Sequence, residues 1–251
     1  PQGENMMTPI VHDGVMFAYS YGDVLQAMDA ATGELLWSFQ RPLEGGKSPG
    51  MKKGAAIYDD KIVIATSDIH LIAIEAKTGK IAWDHKVDGG GEDSFLFRSA
   101  PLIANGKAII GLTGRTAVEG GDFIFALDMD TGEEVWRFYT IARPDEPGGH
   151  TWNGLPLEER NGGSIWIPGS FDADLNLVYF GPAPTYDTNP LRTPHPDPTM
   201  TRDALYTNST VALDADTGEL AWHYQHISND QLDHDWAFER QIMDLRINGV
   251  N

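Results

Sequence analysis

An eleven-residue pattern occurs four times in this chain: AMDAATGELLW at 27–37, AIEAKTGKIAW at 73–83, ALDMDTGEEVW at 126–136 and ALDADTGELAW at 212–222. Each copy runs Ala, an apolar residue, an acid, two variable residues, Thr-Gly, three more residues and Trp. Two apolar runs separated by so short a polar span predict strand, tight turn, strand. The Gly takes the positive φ such a turn needs, and the Thr hydroxyl can bond back to the turn backbone. A Trp at the same register in every copy predicts an indole buried in each unit, so four copies of one structural unit are expected.

The first three Trp residues are spaced 46 and 53 apart and the last two 86 apart, so the fourth unit carries about 40 extra residues. Upstream of the first three copies, TPIVHDGVMFAYS, GAAIYDDKIVIATS and SAPLIANGKAIIGLT repeat a second two-strand shape. A period of about 40–50 residues with four strands per unit marks an all-β β-propeller of four-stranded antiparallel blades. Strands are predicted near 8–11, 15–19, 24–28 and 35–39; 54–58, 62–66, 70–75 and 81–86; 99–103, 107–112, 122–128 and 134–140; and 164–171, 176–181, 207–213 and 219–225. The blades then occupy about 1–40, 41–86, 87–140 and 141–225, with the start of a fifth at 226–251. Both ends read as cut, which predicts part of a longer propeller; a closed four-bladed ring is the alternative.

With 18 Lys+Arg against 37 Asp+Glu the chain carries a net charge of −19, and it has no basic run. Such a field repels phosphate backbones, so nucleic acid is excluded as a natural partner. The absence of Cys rules out disulfides, thiolate metal sites and c-type haem attachment within this stretch. No run of apolar residues is long enough for a transmembrane helix. There is no HExxH pair, no phosphate-cradling Gly loop and no Gly-x-Ser-x-Gly elbow; GGDF at 120–123 lies between two strands and opens no helix.

Because antiparallel strands alternate, the connection into the first strand of a blade and the connection from its second to its third lie on one face. Every long or irregular segment falls there, and the Thr-Gly turns fall on the other, so a site is expected on the long-loop face. Three Trp residues lie outside the repeat: Trp152, Trp166 and Trp236. Trp166, in GGSIW, is expected at the start of an innermost strand, as a floor for a planar cofactor or as a filler of the central channel. The segment SNDQLDHDWAFE brings Asp230, Asp233, Asp235 and Glu239 together with His234. It is either a site for a cation or general base or a solvated acidic loop. Lys53 and Arg98 are cations at corresponding blade entrances, able to meet an anionic ligand.

The four Trp-containing copies, GGSIW, then FDADLNLVYFG at 171–181, ALDADTGELAWHYQ and NDQLD resemble the quinoprotein alcohol dehydrogenases in order and approximate spacing. These are eight-bladed propellers that hold pyrroloquinoline quinone (PQQ) on their axis. The resemblance covers essentially the whole chain, although the Trp pattern alone is shared with non-enzymatic propellers of the outer-membrane assembly type. It implies a periplasmic dehydrogenase for an alcohol or polyol, with a cytochrome as a possible electron acceptor. Trp166 then corresponds to the indole stacked on the quinone and Ser164 to a hydroxyl contact. Thr113 and Gly114 correspond to the Ser-Gly that lines the cofactor plane, Lys53 to an arginine that contacts it, and Asp233 to the general base. Arg98 is a further candidate for the cofactor. Calcium or another cation normally accompanies the quinone, but the family's metal-binding Glu and Asn fall at Thr116 and Pro184. Glu119 or Asp187 are the candidate substitutes. Adjacent cysteines are replaced by Lys47 and Ser48, and a Glu near the cofactor by Met6. The competing expectation is a non-catalytic propeller that binds a protein or polymer.

Overall fold

The structure, a computed structural model, describes residues 6–43, 50, 52–88, 95–114 and 119–244. Thr116, Lys47 and Ser48 lie outside the described residues. The first sheet comprises β1 (Ile10–His12), β2 (Val15–Ser20), β3 (Val24–Asp29) and β4 (Leu35–Phe39). The second comprises β5 (Ala56–Tyr58), β6 (Lys61–Ala65), β7 (His70–Glu75) and β8 (Ile81–Lys86). A two-residue strand, β9 (Phe95–Leu96), precedes the third sheet, which holds β10 (Leu102–Ala104), β11 (Lys107–Gly111), β13 (Phe123–Asp128) and β14 (Glu134–Tyr139); β12 (Thr113–Gly114) pairs back with β9. The fourth comprises β15 (Ser170–Asp172), β16 (Leu177–Phe180), β17 (Ser209–Asp214) and β18 (Leu220–Gln225). In each four-stranded sheet the strands are antiparallel and follow one another in chain order, with only the short β12 left out of the third, as in propeller blades. The first strands are three residues long, and β10 lies against both β5 and β15, which marks them as the converging inner strands.

The middle strands read as nearly unbroken apolar runs because both of their faces are covered. In β6, Ile62 and Ile64 pack with Phe17 and Leu25 of the first blade, whereas Val63 and Ala65 pack with Ala108 and Ile110 of the third. A strand buried on one side only would alternate apolar and polar residues instead.

The acid of the eleven-residue pattern organises its turn. Asp29 Oδ1 accepts the Ala31 and Thr32 N–H groups at 3.0 and 2.7 Å and the Thr32 hydroxyl at 2.9 Å, while Thr32 Oγ1 accepts the Glu34 N–H at 3.3 Å. The same set recurs around Asp128 and Asp214. Hydrogen bonds to the charged form, that from the Thr32 N–H first among them, hold Asp29 below the usual carboxylate range.

Each Trp docks on the following blade. The indole N–H of Trp37 donates to Ala76 O at 3.0 Å, that of Trp83 to Met129 O at 2.9 Å and that of Trp136 to Ala215 O at 3.2 Å. The ring lies flat over the Thr-Gly turn of its neighbour. A Cβ on Gly79, Gly132 or Gly218 would fall 2.8, 2.7 or 2.6 Å from the indole above it, and all three glycines have φ between +70° and +74°. Trp222, expected to be buried like the others, is instead 45% exposed, because no described blade follows it.

The strand predicted over 164–171 starts only at Ser170. Gly162 and Gly163 have φ of +97° and +73°, and Pro168 has no N–H to give to a ladder, so Ser164–Gly169 makes only isolated backbone bonds, Ile165 N–H to Leu112 O at 2.9 Å and Ala183 N–H to Ser164 O at 3.0 Å, and forms no strand. Trp166 therefore sits in a loop four residues before the inner strand, not at its start.

Candidate functional site

A cavity of about 440 Å³ opens among the loops, and the residues lining it come from all four blades. Met6 leads into β1, Lys53 into β5, Arg98 into β10, and Ser164 and Trp166 into β15. Thr113 follows β11; Ala183, Pro184 and Tyr186 follow β16; Asp233 and Asp235 lie beyond β18. Every one of these positions enters a first strand or leaves a second or fourth one, so the lining belongs to connections and none of it to a middle strand.

Local chemistry fixes several of these side chains. Lys52 and Lys53 are consecutive and point apart. Lys52 is buried between the first two blades, ion-paired with Asp23, and donates to Ala65 O at 3.2 Å; Asp23 also accepts the Tyr19 hydroxyl at 2.6 Å. Lys53 then reaches the cavity, where its ammonium donates to Trp166 O at 2.8 Å and lies 4.8 Å from the centroid of the Trp166 ring. Burial, and next the neighbouring Arg98 guanidinium, hold Lys53 below the usual lysine range, while Glu239 acts the other way. The Trp166 ring meets Phe238 edge-on at 6.4 Å. Thr113 Oγ1 donates to Ile165 O at 3.1 Å, tying β12 to the loop that carries Ser164 and Trp166.

The acidic segment divides into two functions. Asp230 is buried and accepts the Leu232 and His234 N–H groups at 2.8 and 2.7 Å and the Asn208 amide at 2.9 Å, with His234 Nδ1 at 3.1 Å from its carboxylate. Burial alone would raise its pKa, but these hydrogen bonds outweigh it and the pKa is lowered. Asp230 thus shapes the loop. Asp233, at φ +60°, and Asp235 are held at the cavity. Burial, and after it the charge of Asp233, push the Asp235 carboxyl up, partly offset by the Trp166 side chain.

Lys53, Arg98, Thr113, Ser164, Trp166 and Asp233 are thus brought to one cavity. Gly114 does not line it; its carbonyl meets the Tyr186 hydroxyl at 3.4 Å. Trp152 is buried elsewhere, with its indole N–H on Leu205 O at 2.6 Å, and Trp236 stacks on His226 at 4.9 Å. Tyr186 and Ala183 were not singled out in the sequence. The only signal for Tyr186 was an aromatic residue in a Pro-rich loop on the long-loop face.

Among the described residues one buried acid is unpaired. Asp122 is 1% exposed, no donor meets hydrogen-bond geometry at either of its carboxylate oxygens, and burial pushes its pKa well above the usual range; the nearby Gly114 N–H, outside that geometry, offsets this only in part. A raised native pKa means that the folded chain holds the proton more tightly than the unfolded one. Stability is therefore fully present below the ordinary value of 3.8 and declines as pH rises toward the native value. Asp122→Asn should remove this slope. The variant is expected to unfold at higher urea than the parent at pH 7, and the advantage should vanish at about pH 3. Parallel urea curves at the two pH values check this, and an equal difference at both would refute it.

A family model described as the β-propeller domain of glucose, ethanol and alcohol dehydrogenases, the PQQ family, matches residues 1–251. The chain belongs to this family of PQQ-dependent propeller dehydrogenases. It is 35% identical to the dehydrogenase subunit of the quinone alcohol dehydrogenase of Gluconacetobacter polyoxogenes, over 96% of this chain and 35% of that protein. The solved quinohemoprotein alcohol dehydrogenase ADHIIG of Pseudomonas putida superposes with a TM-score of 0.86 at 32% identity, covering 98% of this chain and 38% of the other. The Comamonas testosteroni quinohemoprotein alcohol dehydrogenase superposes with 0.85 at 30% identity, with the same coverage. The chain thus spans little more than a third of the length of these relatives.

Proposed function

We propose that the protein to which this chain belongs oxidises an alcohol or polyol, with PQQ as hydride acceptor and Asp233 as general base. One observation carries this: a single cavity in a chain of this family unites an indole, two cations, three hydroxyls and two carboxylates. The residues present fit a planar, anionic quinone. Trp166 offers an aromatic surface, Lys53 and Arg98 attract its negative groups, and Ser164 and Thr113 supply short polar side chains at the wall. When bound, the quinone supplies the two-electron acceptor. The Asp233 carboxylate takes the proton of the substrate hydroxyl, which strengthens the push of hydride from the carbinol carbon and leaves a carbonyl product. Met6 and Ala183 add apolar surface to the cavity wall.

The metal is a different matter. Pro184 lines the cavity but has no side-chain ligand, and neither Glu119 nor Asp187 lines it. Among the described residues no group of three or more His, Cys, Asp or Glu side chains could hold a metal ion. No step here is assigned to one.

A periplasmic location and a cytochrome acceptor complete the proposal; the net charge of −19 suits a basic electron-transfer partner. The test is dye-linked oxidation of a panel of primary alcohols and polyols by the full-length protein, with and without added PQQ. Quinone-dependent turnover is expected. A purified protein that neither turns over nor takes up quinone would favour the non-catalytic scaffold.

A further inference from the structure

The cavity has its own source of positive charge, in a place where the family resemblance calls for a metal ion. We propose that Lys53, with Arg98 beside it, supplies the cationic charge at the quinone, and that this protein holds its quinone without a metal ion. The inference rests on the quinone reading above.

Three observations support it. First, among the described residues the donor set is wrong for a hard cation, which takes six or more oxygen ligands. Pro184 contributes no side-chain donor, and its carbonyl is already engaged by the Gly163 N–H at 3.3 Å. Asp187 turns one oxygen to the Asn189 N–H at 3.0 Å and does not reach the cavity. The carboxylates that do reach it, Asp233 and Asp235, share the lining with two cations, Lys53 and Arg98.

Second, Lys53 is anchored where charge would be useful. Its ammonium is pinned to the Trp166 carbonyl at 2.8 Å and held over the indole at 4.8 Å. That hydrogen bond takes one of the three ammonium N–H groups, which leaves the others to donate to a ligand against the ring. The buried Lys52–Asp23 pair one residue earlier fixes the backbone that presents it.

Third, positive charge is already gathered at Lys53 itself, since Arg98 disfavours its charged form while Glu239 acts the other way. A further cation would add to that repulsion, whereas a ligand bearing carboxylates relieves it. An ammonium and a guanidinium can each donate hydrogen bonds to an anionic or carbonyl oxygen, so the electrostatic role of the ion is covered by side chains.

The test is a titration of the full-length protein, stripped with EGTA, with PQQ, followed by quenching of tryptophan fluorescence and repeated with calcium or lanthanum added. The affinity is expected to stay within about threefold across all three conditions, and elemental analysis of the quinone-loaded protein should find no stoichiometric metal. Lys53→Met should weaken binding by about tenfold or more in EGTA, with no recovery on adding either ion, while Lys53→Arg should retain most of the affinity. Affinity that rises about tenfold or more with calcium or lanthanum, or a Lys53→Met protein that binds as the parent does, overturns the proposal. No quinone binding in any condition overturns the quinoprotein reading itself, a result distinct from binding that requires a metal.

Discussion

Replacing Trp83 by alanine in the full-length protein should destabilise it by about 3–5 kcal/mol, among the largest effects of any single substitution in the described blades. The indole is 8% exposed, closes the core between the second and third blades, and donates to Met129 O at 2.9 Å. Its loss removes a large apolar surface and leaves a buried carbonyl without a donor. The glycine beneath it gives an independent check. Gly132 and Gly14 have nearly equal φ, +73° and +76°, so alanine at either carries similar backbone strain. A Cβ at Gly132 would lie 2.7 Å from the Trp83 ring, whereas one at Gly14 has nothing within 4 Å. Gly132→Ala should therefore lower the thermal midpoint much more than Gly14→Ala. Equal losses would mean that strain, and not the indole contact, sets the requirement for glycine.

The second large effect concerns Asp233. Replacement by asparagine keeps the shape and tolerates the left-handed backbone at φ +60°, so the loop should survive. Turnover in the full-length protein should fall by about 10²- to 10⁴-fold while quinone binding persists, because the substitution removes a proton acceptor and leaves the aromatic and cationic walls in place. Asp235→Asn should do less to the rate but should alter its pH dependence, since the Asp235 carboxyl is raised by burial and by Asp233. If Asp235→Asn proved the more damaging of the two, the base would be Asp235 and the assignment to Asp233 wrong.

How far the chain could be read in advance differed from place to place, for physical reasons. The blade hairpins were legible because their chemistry is local: an acid, a Thr and a Gly within five residues close the turn by themselves, as around Asp29. The docking surface beneath each indole was not legible, since Trp83 and the Gly132 it covers are far apart in sequence and adjacent only once two blades stack. In the site, Lys53, Arg98 and Trp166 could be picked out as charged or aromatic residues at blade entrances. The predicted strand at 164–171 failed because periodicity outweighed the Gly162-Gly163 pair and Pro168, which break the ladder. Tyr186 escaped because its loop has no counterpart in the other blades, so no repeat register could place it. Asp122 is not legible in the sequence because burial of an acid without a partner is a property of packing, not of pattern.

The forward docking of each indole also bears on how such a chain is made. A ribosome releases the Trp of one blade before it has produced the Gly turn that will cover it, so every completed blade waits with an uncovered aromatic ring until its successor emerges. Assembly therefore has a polarity from the amino to the carboxyl end. A pause in translation just after a docking Trp leaves that ring accessible to a chaperone or to another nascent chain, whereas a pause after the next Thr-Gly turn does not.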